Sequence, residues 1–391
     1  MKPYIIQSVI LKFVNVCNLN CKYCYVFKDK SSKYIGLPDF ISFELYETLL
    51  DRVIEHCQRY DLKSFTIVFH GGEPLMFGLE NFKKLAALNE IKFNDTGIGI
   101  GFGLQTNGTL MNVEFADFFS KNDIQVGFSL DGYEEIHNKH RIFRHSGKGS
   151  YAAVKKGIKI YKAAQQPIDI LCVINEDTNP LKFYKEFKKM GVNSCSLLPK
   201  DANYTNWDST KNQPIANWLI TLFDIWFNDT SDNKPAIAPF TFLTNLLLGV
   251  EEDSNDIFGR CENTAILVFS DGQIRVTGTE EGEEWHGKLS SYNILQNNFT
   301  EIFEEKTFRT YYDLHLDDVL CETCRKCKIV DICGGGRLSH RYSKENAFDN
   351  PTVYCDVMKA LITHIQHNLI DKMPVDLREK LKLQKLNINE L

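Results

Sequence analysis

The 391-residue sequence predicts an α/β fold: a partial (β/α)6 barrel followed by a small Cys-rich domain and a C-terminal helix. Three observations lead there. Strand-like and helix-like segments alternate through six steps in roughly the first 200 residues, the pattern of a parallel sheet with right-handed crossovers. Short polar motifs follow the strands, at the end where β/α barrels carry their active sites. The twelve cysteines are uneven, with three in Cys17–Cys24 and five in Cys321–Cys355.

The elements follow in order. SVILKFVNV (8–16) is a buried strand, and 41–60 an amphipathic helix with Ser42 as its N-cap. Strands at 63–69, 100–106, 123–130 and 168–174 precede helices at 79–91, 111–121, 150–165 and 180–190, and a strand at 192–198 closes the series. After a polar connector (201–214), helices are expected at 215–227 and 239–250. A hairpin over 261–280 turns at Asp271-Gly272. The Cys- and Gly-rich stretch 320–355 has little periodicity, as in segments ordered by metal. An amphipathic helix over 356–373 ends the pattern. The expected domains are 1–230 (barrel), 231–360 (Cys-rich) and 361–391 (helix and tail).

Composition narrows the function. Hydrophobic content of 43% with 25% charged residues is that of a globular enzyme. A net charge of −6 argues against nucleic acid as a partner, because phosphate binding needs a basic face. No apolar run reaches the roughly 18–20 residues of a membrane span. The N-terminus has no basic region or small-residue cleavage site, so a cytoplasmic protein with reduced thiols is expected, and clustered cysteines there bind metal or catalyse.

The first candidate site is Cys17-x3-Cys21-x2-Cys24, followed by Tyr25, in the loop after the first strand. Three thiolates can hold three irons of a cubane and leave the fourth open. A zinc knuckle is the bland alternative. His70-Gly71-Gly72-Glu73-Pro74 follows the second strand; its glycines allow close backbone approach, and Glu73 offers a carboxylate to an ammonium group. Gln105-Thr106-Asn107-Gly108 and Ser129-Leu130-Asp131-Gly132 end the third and fourth strands, with groups suited to ribose hydroxyls. Each is equally a turn former. Arg141 either pairs with a carboxylate through its fork or lies on a solvated face.

The second site is Cys324-x2-Cys327-x5-Cys333 with Cys355, four thiolates that suit a [4Fe–4S] cluster or tetrahedral zinc.

Together these motifs resemble the radical S-adenosylmethionine (SAM) superfamily, and the C-terminal cysteines resemble its SPASM auxiliary-cluster module. The resemblance implies a SAM-binding [4Fe–4S] cluster on Cys17, Cys21 and Cys24. It places Tyr25, Gly71, Gly72, Glu73, Pro74, Asn107, Ser129 and Arg141 around SAM, with the GGEP motif at the methionine amino group. It also implies at least one auxiliary [4Fe–4S] cluster on Cys324, Cys327, Cys333 and Cys355, and an external electron donor such as ferredoxin or flavodoxin. The module's other auxiliary cluster is depleted here: Cys261 matches one ligand position, while Thr277 and Arg337 stand where two others fall. Cys321 is an extra thiol that joins Cys261 in a site or stands by. In sulfatase maturases of this module the general base is an Asp after the post-hairpin Cys; here Gly278 holds that position.

Cys333-Gly334-Gly335-Gly336, His340-Arg341-Tyr342, Phe348-Asp349-Asn350-Pro351 and Val353-Tyr354-Cys355 resemble the peptide-modifying subgroup that installs cyclophane rings in ribosomally made precursor peptides. That implies an oxidoreductase joining an aromatic carbon to a Cβ two residues away. Formylglycine formation or thioether crosslinking is the alternative. A non-enzymatic electron carrier would not need the GGEP and SLDG motifs. No catalytic base is identified. Only sixteen residues precede Cys17, so leader binding is expected to use a separate protein, the C-terminal domain or a strand edge.

Overall fold

The computed structural model describes residues 4–24, 27, 36–250, 257–260, 262–276, 292–313 and 316–391. Tyr25, Cys261, Thr277 and Gly278 lie outside the described residues. The chain divides into two compact units, 1–172 with 264–309, and 173–263 with 310–391.

The first unit is built on a sheet in the order β5-β4-β3-β2-β1-β8-β9. Its strands are β1 (Ser8–Val14), β2 (Ser64–Gly71), β3 (Gly99–Thr106), β4 (Ile124–Ser129) and β5 (Asp169–Val173), with β8 (Ala265–Phe269) and β9 (Ile274–Val276). The first five pair in parallel with in-line registers such as Ile10↔Val68 and Leu104↔Val126. Helices α1 (Phe43–Tyr60), α2 (Leu79–Phe93), α3 (Val113–Lys121), α4 (Glu134–His140) and α5 (Tyr151–Ala163) fill the connections. Ser42 caps α1 as expected, its side chain accepting from the Leu45 amide at 3.1 Å.

The core lies between the helices and the sheet. Phe13, Phe69, Phe77 and Phe82 meet edge-on or tilted at centroid distances of 5.1–5.9 Å, a geometry aromatic quadrupoles favour. His56 on α1 accepts the Ile6 amide at 3.1 Å, tying that helix to the start of the sheet.

The expected α/β class with a parallel sheet is the one observed, with boundaries within a few residues of those expected. One placement differs. The hairpin β8–β9 turns at Asp271-Gly272 as expected, with Gly272 at φ +84°, yet it packs in the first unit instead of with the Cys-rich segment. The reason is that β8, AILVF, is an apolar run that pairs in parallel along the free edge of β1 (Ile10↔Leu267).

The second unit contains β6 (Ser194–Leu198), paired in parallel with the short β7 (Ala236–Ile237). Helices α6 (Pro180–Met190), α7 (Asn212–Phe227), α8 (Ala238–Leu247) and the C-terminal α9 (Cys355–Lys372) pack on one another. His364 of α9 and Asp224 of α7 bond at 2.6 Å. The packing units therefore cut the chain at other places than residues 230 and 360. Among the described residues no helix is long and apolar enough to cross a membrane.

Gly157 gives a test of how tightly α5 is seated. A Cβ there would run into the carbonyl oxygen of Gly108, in the loop carrying Asn107. An exposed helical Gly→Ala change normally stabilises by about 1 kcal/mol. Here Gly157→Ala is expected to destabilise by roughly 1–3 kcal/mol in urea unfolding, as overpacking does; a stabilised variant would contradict this packing.

Candidate active site and a Cys-lined cavity

In the first unit the loops after β1, β2, β3 and β4 are held together by backbone and side-chain hydrogen bonds. Gly72 and Glu73 donate their amides to the carbonyls of Val14 and Val16 at 2.7 and 2.8 Å, laying the GGEP segment along the approach to Cys17. Gly71 is at φ +129°, and any side chain on Gly71 or Gly72 would strike those carbonyls, which is why glycine is needed at both.

Glu73 is fully buried. Its carboxylate accepts from the Leu75 amide (3.0 Å), the Asn107 amide (2.7 Å) and the Thr106 hydroxyl (2.5 Å). Burial pushes its pKa up, and these three donors pull it back. The carboxylate ties the ends of β2 and β3 together. Pro74 starts the short 3-10 turn Pro74–Phe77 that Glu73 caps.

Asn107 extends the tie to the cysteine loop. Its Nδ2 donates to the Asn18 side chain at 2.9 Å and reaches the Cys17 sulfur at 3.8 Å, and the Leu19 amide approaches the same sulfur at 3.4 Å. Burial drives the Cys17 thiol up to about 12 and raises Cys21. Thiols so placed stay protonated until a metal displaces the proton, so loading here releases protons. Ser129 accepts from Gln105 Nε2 at 2.9 Å.

Arg141 is 9% exposed, so its solvated alternative fails. Its Nε donates to Asp131 Oδ2 at 2.9 Å, its guanidinium lies 5.6 Å from the Tyr23 ring centre, and the Tyr23 hydroxyl bonds the same Asp131 oxygen. His137 completes the arrangement: it accepts the Asp131 amide at Nδ1 (3.2 Å) and meets the Ser150 hydroxyl at Nε2 (2.9 Å). The backbone of Asn20 and Lys22 donates to the carbonyls of Ile142 and His140, stitching the cysteine loop to this segment. Sequence reasoning missed Tyr23, Asp131 and His137 as site builders, although Asp131 sits in the SLDG motif. It also missed Lys12 and His70. Lys12 is buried and His70 partly so, with Lys12 Nζ 3.4 Å from His70 Nδ1, and desolvation beside Lys12 holds the His70 ring well below its ordinary pKa.

In the second unit, Cys324, Cys327, Cys333 and Cys355 line one cavity of about 310 Å³ together with Gly335, Thr352 and Lys359. Cys321 is buried beside Cys324 but does not appear in that lining. Gly334, Gly335 and Gly336 all have positive φ (+67°, +78°, +71°), wrapping the chain around the buried Arg341 guanidinium. Burial raises the Cys333 thiol to about 12. Arg337 Nη1 stands 3.5 Å from Asp201 Oδ1. Among the described residues no three His, Cys, Asp or Glu side chains lie close enough to share a single metal ion. Four thiols lining one cavity can each take one iron of a cubane.

Burial holds His137 at about 4, against an ordinary 6.5. The unfolded chain therefore takes up that proton first, so stability should fall as pH drops from 6.5 to 4. This group contributes at most about 1.4 kcal/mol per pH unit. Urea unfolding across that window should show a shallower slope for His137→Gln; an unchanged slope would contradict a neutral buried ring.

Comparison with known proteins identifies the family. The radical SAM superfamily matches residues 11–194. The cysteine-type anaerobic sulfatase-maturating enzyme of Clostridium perfringens (strain ATCC 13124) is 30% identical over 91% of this chain and 95% of its own length. The serine-type enzyme of Klebsiella aerogenes is 31% identical over 83% of this chain and 77% of its own. Among solved structures, native anSMEcpe with bound AdoMet has a TM-score of 0.79 and 29% identity, covering 93% of this chain and 98% of that one. Streptococcus suis SuiB bound to precursor peptide SuiA shares the fold alone, with a TM-score of 0.57 and 12% identity over 89% of this chain and 75% of that one. The chain thus belongs to the radical SAM superfamily of enzymes, which use a [4Fe–4S] cluster and S-adenosylmethionine, and within it to the family of the anaerobic sulfatase-maturating enzymes.

Proposed function

We propose that this enzyme matures a ribosomally made peptide by removing a Cβ hydrogen and joining that carbon to an aromatic ring carbon, a cyclophane crosslink. Cys17, Cys21 and Cys24 hold the SAM cluster in this reading. Tyr25, the Gly71-Gly72-Glu73-Pro74 strap, Asn107, Ser129 and Arg141 surround SAM. Cys324, Cys327, Cys333 and Cys355 hold one auxiliary cluster. When bound, the cluster and SAM supply a 5′-deoxyadenosyl radical that removes a hydrogen atom from the substrate.

The chain's own residues do the positioning. Glu73 fixes the GGEP strap to the β3 loop, so backbone donors and acceptors are preset where a charged ligand end would sit. The buried Asp131–Arg141 pair keeps a guanidinium charge beside the cysteine loop. The four-thiol cavity and its wrapping support an electron acceptor for a substrate radical, which must lose one electron and one proton after ring closure.

The observation that carries the choice of product is Thr277-Gly278, at the end of the hairpin, where the resemblance expects a Cys ligand and an Asp base for formylglycine formation. Formylglycine formation on a sulfatase remains the second reading, because relatives at 29–31% identity are sulfatase-maturating enzymes. Solved relatives also carry peptides, as in native anSMEcpe with bound AdoMet and Cp18Cys peptide. The peptide and an external donor of the ferredoxin or flavodoxin kind are the partners in this reading.

Anaerobic reconstitution with SAM, a reductant and a peptide bearing an aromatic-x-x core should yield 5′-deoxyadenosine and a peptide lighter by two hydrogens per ring. Deoxyadenosine with an aldehyde on a sulfatase-derived Cys or Ser peptide would establish the second reading, and none from an iron-loaded enzyme would sink both. The reconstituted chain should hold about eight irons, four for each cubane. Cys355→Ser combined with Cys327→Ser should lower that to about four while uncoupled SAM cleavage persists; unchanged iron, or stoichiometric zinc, would refute the auxiliary assignment.

A further inference from the structure

Arg341 is one of the largest fully buried side chains, 1% exposed, and three of its hydrogen bonds go to the glycine run. Nε donates to the Gly335 carbonyl at 2.9 Å, and Nη2 to the carbonyls of Gly334 (2.8 Å) and Gly336 (2.9 Å). Nη1 is buried and has no hydrogen-bond partner. No carboxylate among the described residues pairs with this guanidinium; the ionisable groups that act on it are Cys324, Cys333 and Cys321. A buried cation without a counter-charge costs several kcal/mol. Arginine does not shed that cost by losing its proton.

The counter-charge must therefore come from something the thiols hold. Gly335 forms part of the wall of the Cys-lined cavity, and a Cβ built on it would stand 2.6 Å from Arg341 Nη2. The guanidinium thus lies behind that one glycine, with a fixed orientation and an N–H to spare. Four thiolates around a cubane carry net negative charge, and more of it once an electron is taken up. A positive charge and a hydrogen-bond donor behind the cavity wall favour the reduced form.

We propose that Arg341 is a positioning residue that sets the potential of the auxiliary cluster, raising it so that the cluster accepts an electron readily. This rests on the assignment of Cys324, Cys327, Cys333 and Cys355 as its ligands. A purely structural role, holding the three glycine carbonyls, would not move a potential.

The test uses the full-length chain with Cys17, Cys21 and Cys24 all changed to Ala, so that any cubane signal comes from the C-terminal site. Redox titration followed by electron paramagnetic resonance compares this parent with Arg341→Gln and Arg341→Lys. The expected result is a reduction equilibrium at least tenfold less favourable in Arg341→Gln, a shift of about 59 mV to lower potential for a one-electron couple. Arg341→Lys, which keeps the charge, should shift less. If Arg341→Gln loses its cluster, the shift in Arg341→Lys alone decides. Equal potentials in the cluster-bearing variants would overturn the proposal while leaving the ligand assignment intact. A parent that binds no cubane would overturn both, so the two failures are distinguishable.

Discussion

Everything at the first site hangs on the buried carboxylate of Glu73. It is the point where three chain segments distant in sequence are fastened: its backbone to Val16 ahead of Cys17, its side chain to Thr106 and Asn107 at the end of β3, and its own 3-10 turn through Leu75. A carboxylate taken out of water is unfavourable unless its oxygens are satisfied, and here they are. Satisfying them fixes the loops. Asn107, aligned by this bond, then reaches the Cys17 sulfur and the Asn18 side chain. The cysteine loop is thereby positioned by protein contacts alone, and burial raises the Cys17 and Cys21 thiols.

The two cysteine sets solve the same problem by different means. The first is braced by regular structure, with the strand ends of a parallel sheet on one side and the Asp131–Arg141–Tyr23 arrangement on the other. The second has single-turn helices at Glu322–Arg325 and Val330–Cys333, the first residue of α9 at Cys355, three left-handed glycines and a buried arginine. A segment with so little apolar core depends on its polar network and on whatever the thiols bind. The same arginine that closes the glycine wrap therefore sits where it would act on the cavity's occupant, so structure and electronic tuning fall to one side chain.

Much of this was legible in the sequence, for physical reasons. Parallel strands buried on both faces appear as continuous apolar runs, so β1 to β6 stood out, and Ser42 and Asp271-Gly272 announced a cap and a turn by their own chemistry. The cysteine spacings were visible because ligand geometry constrains them locally. What stayed hidden depends on pairing across long separations. The helix Glu134–His140 is too short for periodicity, so the burial of Arg141 could not be foreseen. Tyr23 and Asp131 are 108 residues apart. Nothing in AILVF names β1 as its partner. A sequence does not show which hydrogen bonds the Glu73 carboxylate has already made, nor that Arg341 in HRY is among the most buried residues.

The central claim is that the chain holds two cubanes of different kinds, one with an open iron for SAM and one fully ligated by thiolates. Mössbauer spectroscopy of enzyme reconstituted with ⁵⁷Fe, recorded with and without SAM, addresses it directly. The account predicts that SAM perturbs a single iron of one cluster and leaves the irons of the other unchanged. Spectra in which SAM alters no iron, or in which only one cluster is present, would contradict it.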